Sequence, residues 1–119
     1  MIDQLELRTN KMEESARFYA DVLGPLGYKL EVEGESRGYG DGRGLDLFLA
    51  PGEASANVHF AFSASSRALV EKAWTAGRDA GHQIDRAPAL MPQIHPSYFA
   101  GFLKDPDGRL VEIVCHAAE

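Results

Sequence analysis

The chain opens on an alternating stretch, IDQLELRT, in which Leu5 and Leu7 point one way while Gln4, Glu6 and Arg8 point the other. That pattern predicts a strand with one face in a core and one polar face. In NKMEESARFYADVLGPLG the spacing changes: Met12, Ala16, Tyr19 and Leu23 recur at helical intervals, with Asn10 as N-cap and Gly24-Pro25 as stop. YKLEVEG, SRGYGDGRG and LDLFLAP follow as three strands separated by turn residues. From NVHFAFSA the order begins again. Val58, Phe60 and Phe62 share one face, His59, Ala61 and Ser63 the other, and SSRALVEKAWTAGRDAG reads as a helix with Leu69, Ala73 and Trp74 on its apolar side. HQIDRA is a predicted strand, and PALMPQIHP, with three of the six prolines, a predicted loop. SYFAGFL and RLVEIVC close the chain as strands joined by a DPDG turn.

The two halves therefore share one order of elements, strand, helix and three strands. They also share letters: DGRGLDLFL (Asp41 to Leu49) lies over DGRLVEIVC (Asp107 to Cys115), which sets Asp46 on Glu112. In-phase alternation of the opening strands sets Gln4 on His59. Each half thus offers one donor from its first strand and one carboxylate from its last. Two such units about a pseudo-twofold axis would turn their polar strand faces toward one cavity, with helices covering the apolar faces. One imidazole, two carboxylates and an amide oxygen suit a divalent cation such as nickel, manganese, iron, magnesium or zinc. Burying two carboxylates together without a cation is costly, and this cost is the physical argument for a metal. His116 shares a strand face with Glu112 and is a further candidate.

Composition narrows the picture without adding chemistry. At 119 residues, 45% apolar and 25% charged, the chain has the balance of one globular domain, with modules over about 1–52 and 55–117. The net charge of −6 speaks against a nucleic-acid partner, and no apolar run approaches the length of a membrane-spanning helix. One cysteine, Cys115, cannot form an internal disulfide and reads as a small core residue. With no signal-peptide pattern at the start, the expected location is the cytoplasm.

These residues resemble the vicinal oxygen chelate superfamily, which contains glyoxalase I, bleomycin-resistance proteins, fosfomycin-modifying enzymes and extradiol dioxygenases. IDQLELRT, RFYADVLGPLGY and NVHFAFSA match it, and FLKDPDGRLVEIV matches it most specifically. The resemblance implies an α+β fold of two βαβββ modules forming an open, cup-shaped mixed sheet around a divalent metal, often in a homodimer. Carried over by position, the metal ligands fall on Gln4, His59 and Glu112, with Asp46 where glyoxalase I has Glu. Arg8 resembles the arginine that holds a glutathione carboxylate, while Phe48, Tyr98 and His95 could line the cavity. The function implied is a metal-dependent, glyoxalase-like lyase or isomerase that acts on a small oxygenated substrate through an enediolate-like intermediate, Glu112 or Asp46 moving the proton. The alternatives are a metal-free drug-binding protein of the bleomycin-resistance kind, a dioxygenase or thiol transferase, and a scaffold that has kept the fold alone.

Overall fold

In the computed structural model, which describes residues 2–119, the alternating opening stretch forms β1 (Leu5–Thr9), with Leu7 and Thr9 buried and Glu6 and Arg8 exposed. Helix α1 (Met12–Leu23) buries Ala16, Phe18, Tyr19, Val22 and Leu23, so the helical spacing read from the sequence marks its inner face. Strands β2 (Lys29–Glu33), β3 (Arg37–Gly40) and β4 (Leu45–Pro51) complete the first unit. The second unit repeats it as β5 (His59–Ser63), α2 (Arg67–Asp79), β6 (Gln83–Leu90), β7 (Phe99–Lys104) and β8 (Leu110–Cys115). Each unit builds a four-stranded mixed sheet, ordered β1-β4-β3-β2 and β5-β8-β7-β6. The first strand of each unit runs parallel to the last, and the remaining pairs are antiparallel. The result is α+β, with two βαβββ units and open sheets.

Two local expectations are corrected. The N-cap of α1 is Lys11 rather than Asn10, and the Lys11 side chain makes no capping bond. Instead Thr9 Oγ1 accepts the Lys11 amide at 2.9 Å and meets the Ser15 hydroxyl at 3.1 Å, so a buried strand residue does the capping. The α-helix does end at Leu23 with Gly24 as its C-cap, and a short 3-10 turn, Gly24–Leu26, follows it and ends at Gly27 with φ of 93°. Finally, β6 runs on through Pro88 to Leu90, where a loop was expected. Pro88 is tolerated because β6 is the edge of its sheet and its pairing with β7 is interrupted by two bulges.

One apolar core runs through both units. It joins Leu7, Leu47 and Leu49 of the first sheet to Val111, Ile113 and Cys115 of the second, with Tyr19, Val70 and Trp74 supplied by the helices. Trp74 donates its Nε1–H to the Phe102 carbonyl at 3.0 Å, which fixes α2 on β7. Cys115 is fully buried, as its place in an apolar strand predicts.

The DPDG turn joins the units. Asp105 and Arg109 are 2% and 1% exposed, and Arg109 Nη1 lies 2.9 Å from Asp105 Oδ2. Asp105 also accepts the backbone N–H groups of Asp107 and Arg109 at 3.0 and 2.9 Å and the Tyr19 hydroxyl at 2.6 Å. The rest of the Arg109 guanidinium donates to the Ser55 carbonyl at 3.0 Å, in the connection between the units, and to the Arg8 carbonyl of β1. A buried charge pair of this kind is strongly destabilised when one partner is removed, because the other is left uncompensated. Asp105→Ala is accordingly expected to lower the unfolding free energy by about 3 to 5 kcal/mol, with Asp105→Asn retaining part of it. Chemical denaturation of the two variants beside the wild type measures both.

Candidate functional site

Alternation along β8 sends Val111, Ile113 and Cys115 into the core and Leu110, Glu112 and Val114 to the opposite, concave face of the second sheet. Register extends this face into rungs. His59, Leu110 and Lys104 lie level across β5, β8 and β7; the next rung is Ala61, Glu112, Phe102 and Arg86. Glu112 is only 3% exposed, yet its carboxylate is satisfied: Oε1 lies 2.9 Å from His59 Nε2, and Oε2 accepts the Tyr98 hydroxyl. Burial first, and then this bond to Glu112, push the Tyr98 hydroxyl up to about 12, so it is a donor at any physiological pH. Beyond Tyr98, His95 Nε2 and His116 Nδ1 meet at 2.6 Å with their rings stacked.

The other expected ligands lie elsewhere. Gln4 and Asp46 line a cleft of about 460 Å³ with Tyr28, Ala61 and Ser63, at the far end of β5. Asp46 accepts the Tyr28 hydroxyl at 2.6 Å, and burial together with this bond raises the Tyr28 hydroxyl well above its ordinary value. Glu6 and Arg8 share a different cleft with Val58 and Arg109. Strands β1 and β5 therefore pass each other in opposite directions, which separates Gln4 from His59. His59 lines a third cleft, of about 470 Å³, with Lys104 and Asp85. Arg8 pairs with Glu6 on the surface at 3.0 Å. Phe48 lies on the first sheet, its ring over Gly38, where a Cβ would come within 3.0 Å of it. It shares neither sheet nor cleft with Tyr98.

The sheet register also corrects the repeat alignment. His59 is level with Leu110, two residues before Glu112. In the first unit Leu5 is level with Leu47, which puts Gln4 level with Asp46, and Phe48 two residues beyond. Matching Gln4 to His59 thus brings Phe48, not Asp46, onto Glu112. Matching Asp46 to Glu112 brings Gln4 onto Ala61 instead. The two matches exclude each other. A slip of two residues keeps every side chain on its own face, so the alternation in the sequence cannot reveal it. Among the described residues, no three His, Cys, Asp or Glu side chains converge as a metal-holding group. Within one chain, the donor set does not fit a resident divalent cation.

Three residues of consequence were missed in the sequence. Arg109 looked like the counterpart of Arg43, whose side chain is 91% exposed beside Asp41, whereas Arg109 is buried. The signal was Asp105, four residues earlier and without a counterpart in the first repeat. Lys104 and Arg86 reach the concave face, and the alternation Ala100, Phe102, Lys104 could have shown the first of them.

All four tyrosines have raised pKa values: Tyr19 through burial and then Asp105, Tyr39 through burial, Tyr28 and Tyr98 as above. The ordinary value is about 10, so between about 10 and 12 the unfolded chain loses protons that the folded chain keeps. Stability is therefore expected to be level below pH 10 and to fall as pH rises through that window. Ultraviolet titration of tyrosinate should find no tyrosine ionising near 10 in the folded protein, with normal ionisation once it is denatured.

Comparison with known proteins places this architecture. The chain overlays a glyoxalase/bleomycin resistance protein from Albidiferax ferrireducens T118 with a TM-score of 0.82 at 20% identity, covering 97% of this chain and 98% of that one. A glyoxalase-related enzyme from Fulvimarina pelagi gives 0.75 at 20% identity, covering 97% and 87%. Lactoylglutathione lyase from Agrobacterium tumefaciens gives 0.70 at 22% identity, covering 97% and 92%. At these identities the likeness is one of fold. No curated protein matches the chain. The family model for the glyoxalase/bleomycin resistance protein/dioxygenase superfamily matches residues 1–113, and the chain belongs to that superfamily.

Proposed function

We propose that this protein binds a small molecule on the concave face of its second sheet without requiring a metal, in the manner of the drug-binding branch of its superfamily, and that it works as a homodimer. The observation that carries this reading is the state of Glu112. The case for a cation rested on two carboxylates buried together, but Asp46 lies in the cleft of Gln4 while Glu112 is buried beside His59, and each has its own tyrosine hydroxyl. With His59 on its second oxygen, Glu112 needs no cation to be tolerated. The face keeps an open cleft of about 470 Å³ beside His59, within the range of small-molecule sites. His59, Lys104 and Asp85 supply its polar groups and Leu110 an apolar wall, with Glu112 held behind His59.

The rival reading is the metal-dependent lyase. In its favour, His59 and Glu112 already lie side by side, as two ligands of one ion would. Metal content separates the two. Protein purified without added ions is expected to carry divalent metal far below one equivalent, and nickel or manganese should leave its melting temperature unchanged. One equivalent of metal, lost in both His59→Ala and Glu112→Gln, would sink the binding-module reading. A second expectation concerns the buried carboxylate. Tyr98→Phe removes one donor from Glu112 and should lower the unfolding free energy by about 1 to 3 kcal/mol, measured by denaturant titration at neutral pH.

A further inference from the structure

We infer that the ligand of the second sheet's concave face is a small anion, a carboxylate or phosphate on an apolar or aromatic body, and that Arg86 and Lys104 hold its charge. This rests on the binding reading above and names the class of molecule bound.

Side-chain direction places both cations on that face. Lys104 follows Phe102 in the alternation of β7 and shares the cleft of His59. Arg86, level with Phe102, lays its guanidinium over the Phe102 ring, 4.9 Å from its centroid. Among the described residues, neither Arg86 nor Lys104 has a carboxylate within ion-pair distance. In a chain of net charge −6, two uncommitted cations on one concave face mark it out. Acidic groups are near: Asp85 lines the same cleft, and Glu112 lies on the rung of Arg86. The Glu112 carboxylate is already bound to His59 and Tyr98, so it does not compete for Arg86.

The floor between these groups is low. Ala61 and Ala100 project onto the face from β5 and β7. Phe102 is 4% exposed and lies beneath Arg86, so Leu110, which lines the cleft with His59 and Lys104, is the side chain against which an apolar body can rest. A bound molecule then has its anionic end at Arg86 and Lys104, where a guanidinium can meet two oxygens at once. Its body lies against Leu110, with hydroxyl or carbonyl groups toward His59. Arg86 fixed by the ring loses less freedom on binding than a fully extended side chain would.

The test uses benzoate and phenyl phosphate as anionic probes and benzamide as the neutral analogue, followed on the full chain by titration calorimetry and backbone-amide NMR. Both anions are expected to move the amide signals of Phe102 and Lys104 and to bind at least about tenfold more tightly than benzamide, the worth of one charge-assisted contact. The Arg86→Gln/Lys104→Gln double variant should lose about that factor or more. Arg43→Gln, on the other unit, should bind as the wild type does. If benzamide equals benzoate while the Phe102 and Glu112 signals still move, or if the double variant keeps its anion affinity at these signals, the anionic class is wrong and the binding face stands. If the anions move signals only elsewhere, the assignment to this face is wrong. If no probe moves any signal, the inference and the binding reading fall together.

Discussion

The buried pair of Asp105 and Arg109 holds the two halves of the chain in one arrangement. Its partners come from four places: α1 through Tyr19, β1 through the Arg8 carbonyl, the inter-unit connection through Ser55, and the turn between β7 and β8. A guanidinium buried this deeply is tolerated only when its donors find acceptors, so the pair can exist only if these segments meet. It also fixes the start of β8. Glu112 follows three residues later, and its height on the sheet relative to His59 is set by that anchor.

The same constraint separates the two concave faces. Arg109 reaches the Arg8 carbonyl at the end of β1, while Gln4, at the other end, sits beside Ala61 and Ser63. The polar groups expected around one cavity are therefore distributed over both sheets. Each carboxylate is compensated where it stands: Asp46 by Tyr28, and Glu112 by Tyr98 and His59. Charge burial, which had argued for a shared cation, is met by hydroxyl donors contributed from outside the repeat pattern.

Much of the fold was legible. Period-two alternation identified β1, β5 and β8, and helical spacing identified α1 and α2, because in each the apolar face is the one that enters the core. The duplication was readable from the DGR repeats and the shared order of elements. What misled was local chemistry overridden by position. Pro88 signalled a loop, but an edge strand with bulges accepts it. Asn10 looked like a cap, but the Thr9 hydroxyl was nearer the amide that needed it. The candidate site was legible in part: Glu112, His59 and Tyr98 were all named, and the structure brings them into contact. Arg86 and Lys104 were not, since a charged residue on a strand carries no mark in the sequence of what lies opposite it.

The sequence by itself determined which face of the opening and closing strands and of the helices enters the core, and that the chain is built from two similar units. Periodicity encodes these properties residue by residue, and no long-range information is needed to read them. Only the tertiary structure decided height along the strands. A shift of two residues leaves every side chain on the same face and every core residue in the core, so pattern cannot distinguish Asp46 from Phe48 as the partner of Glu112. Hydrogen-bonded register and the Asp105–Arg109 anchor can, because they tie particular backbone atoms together across the fold.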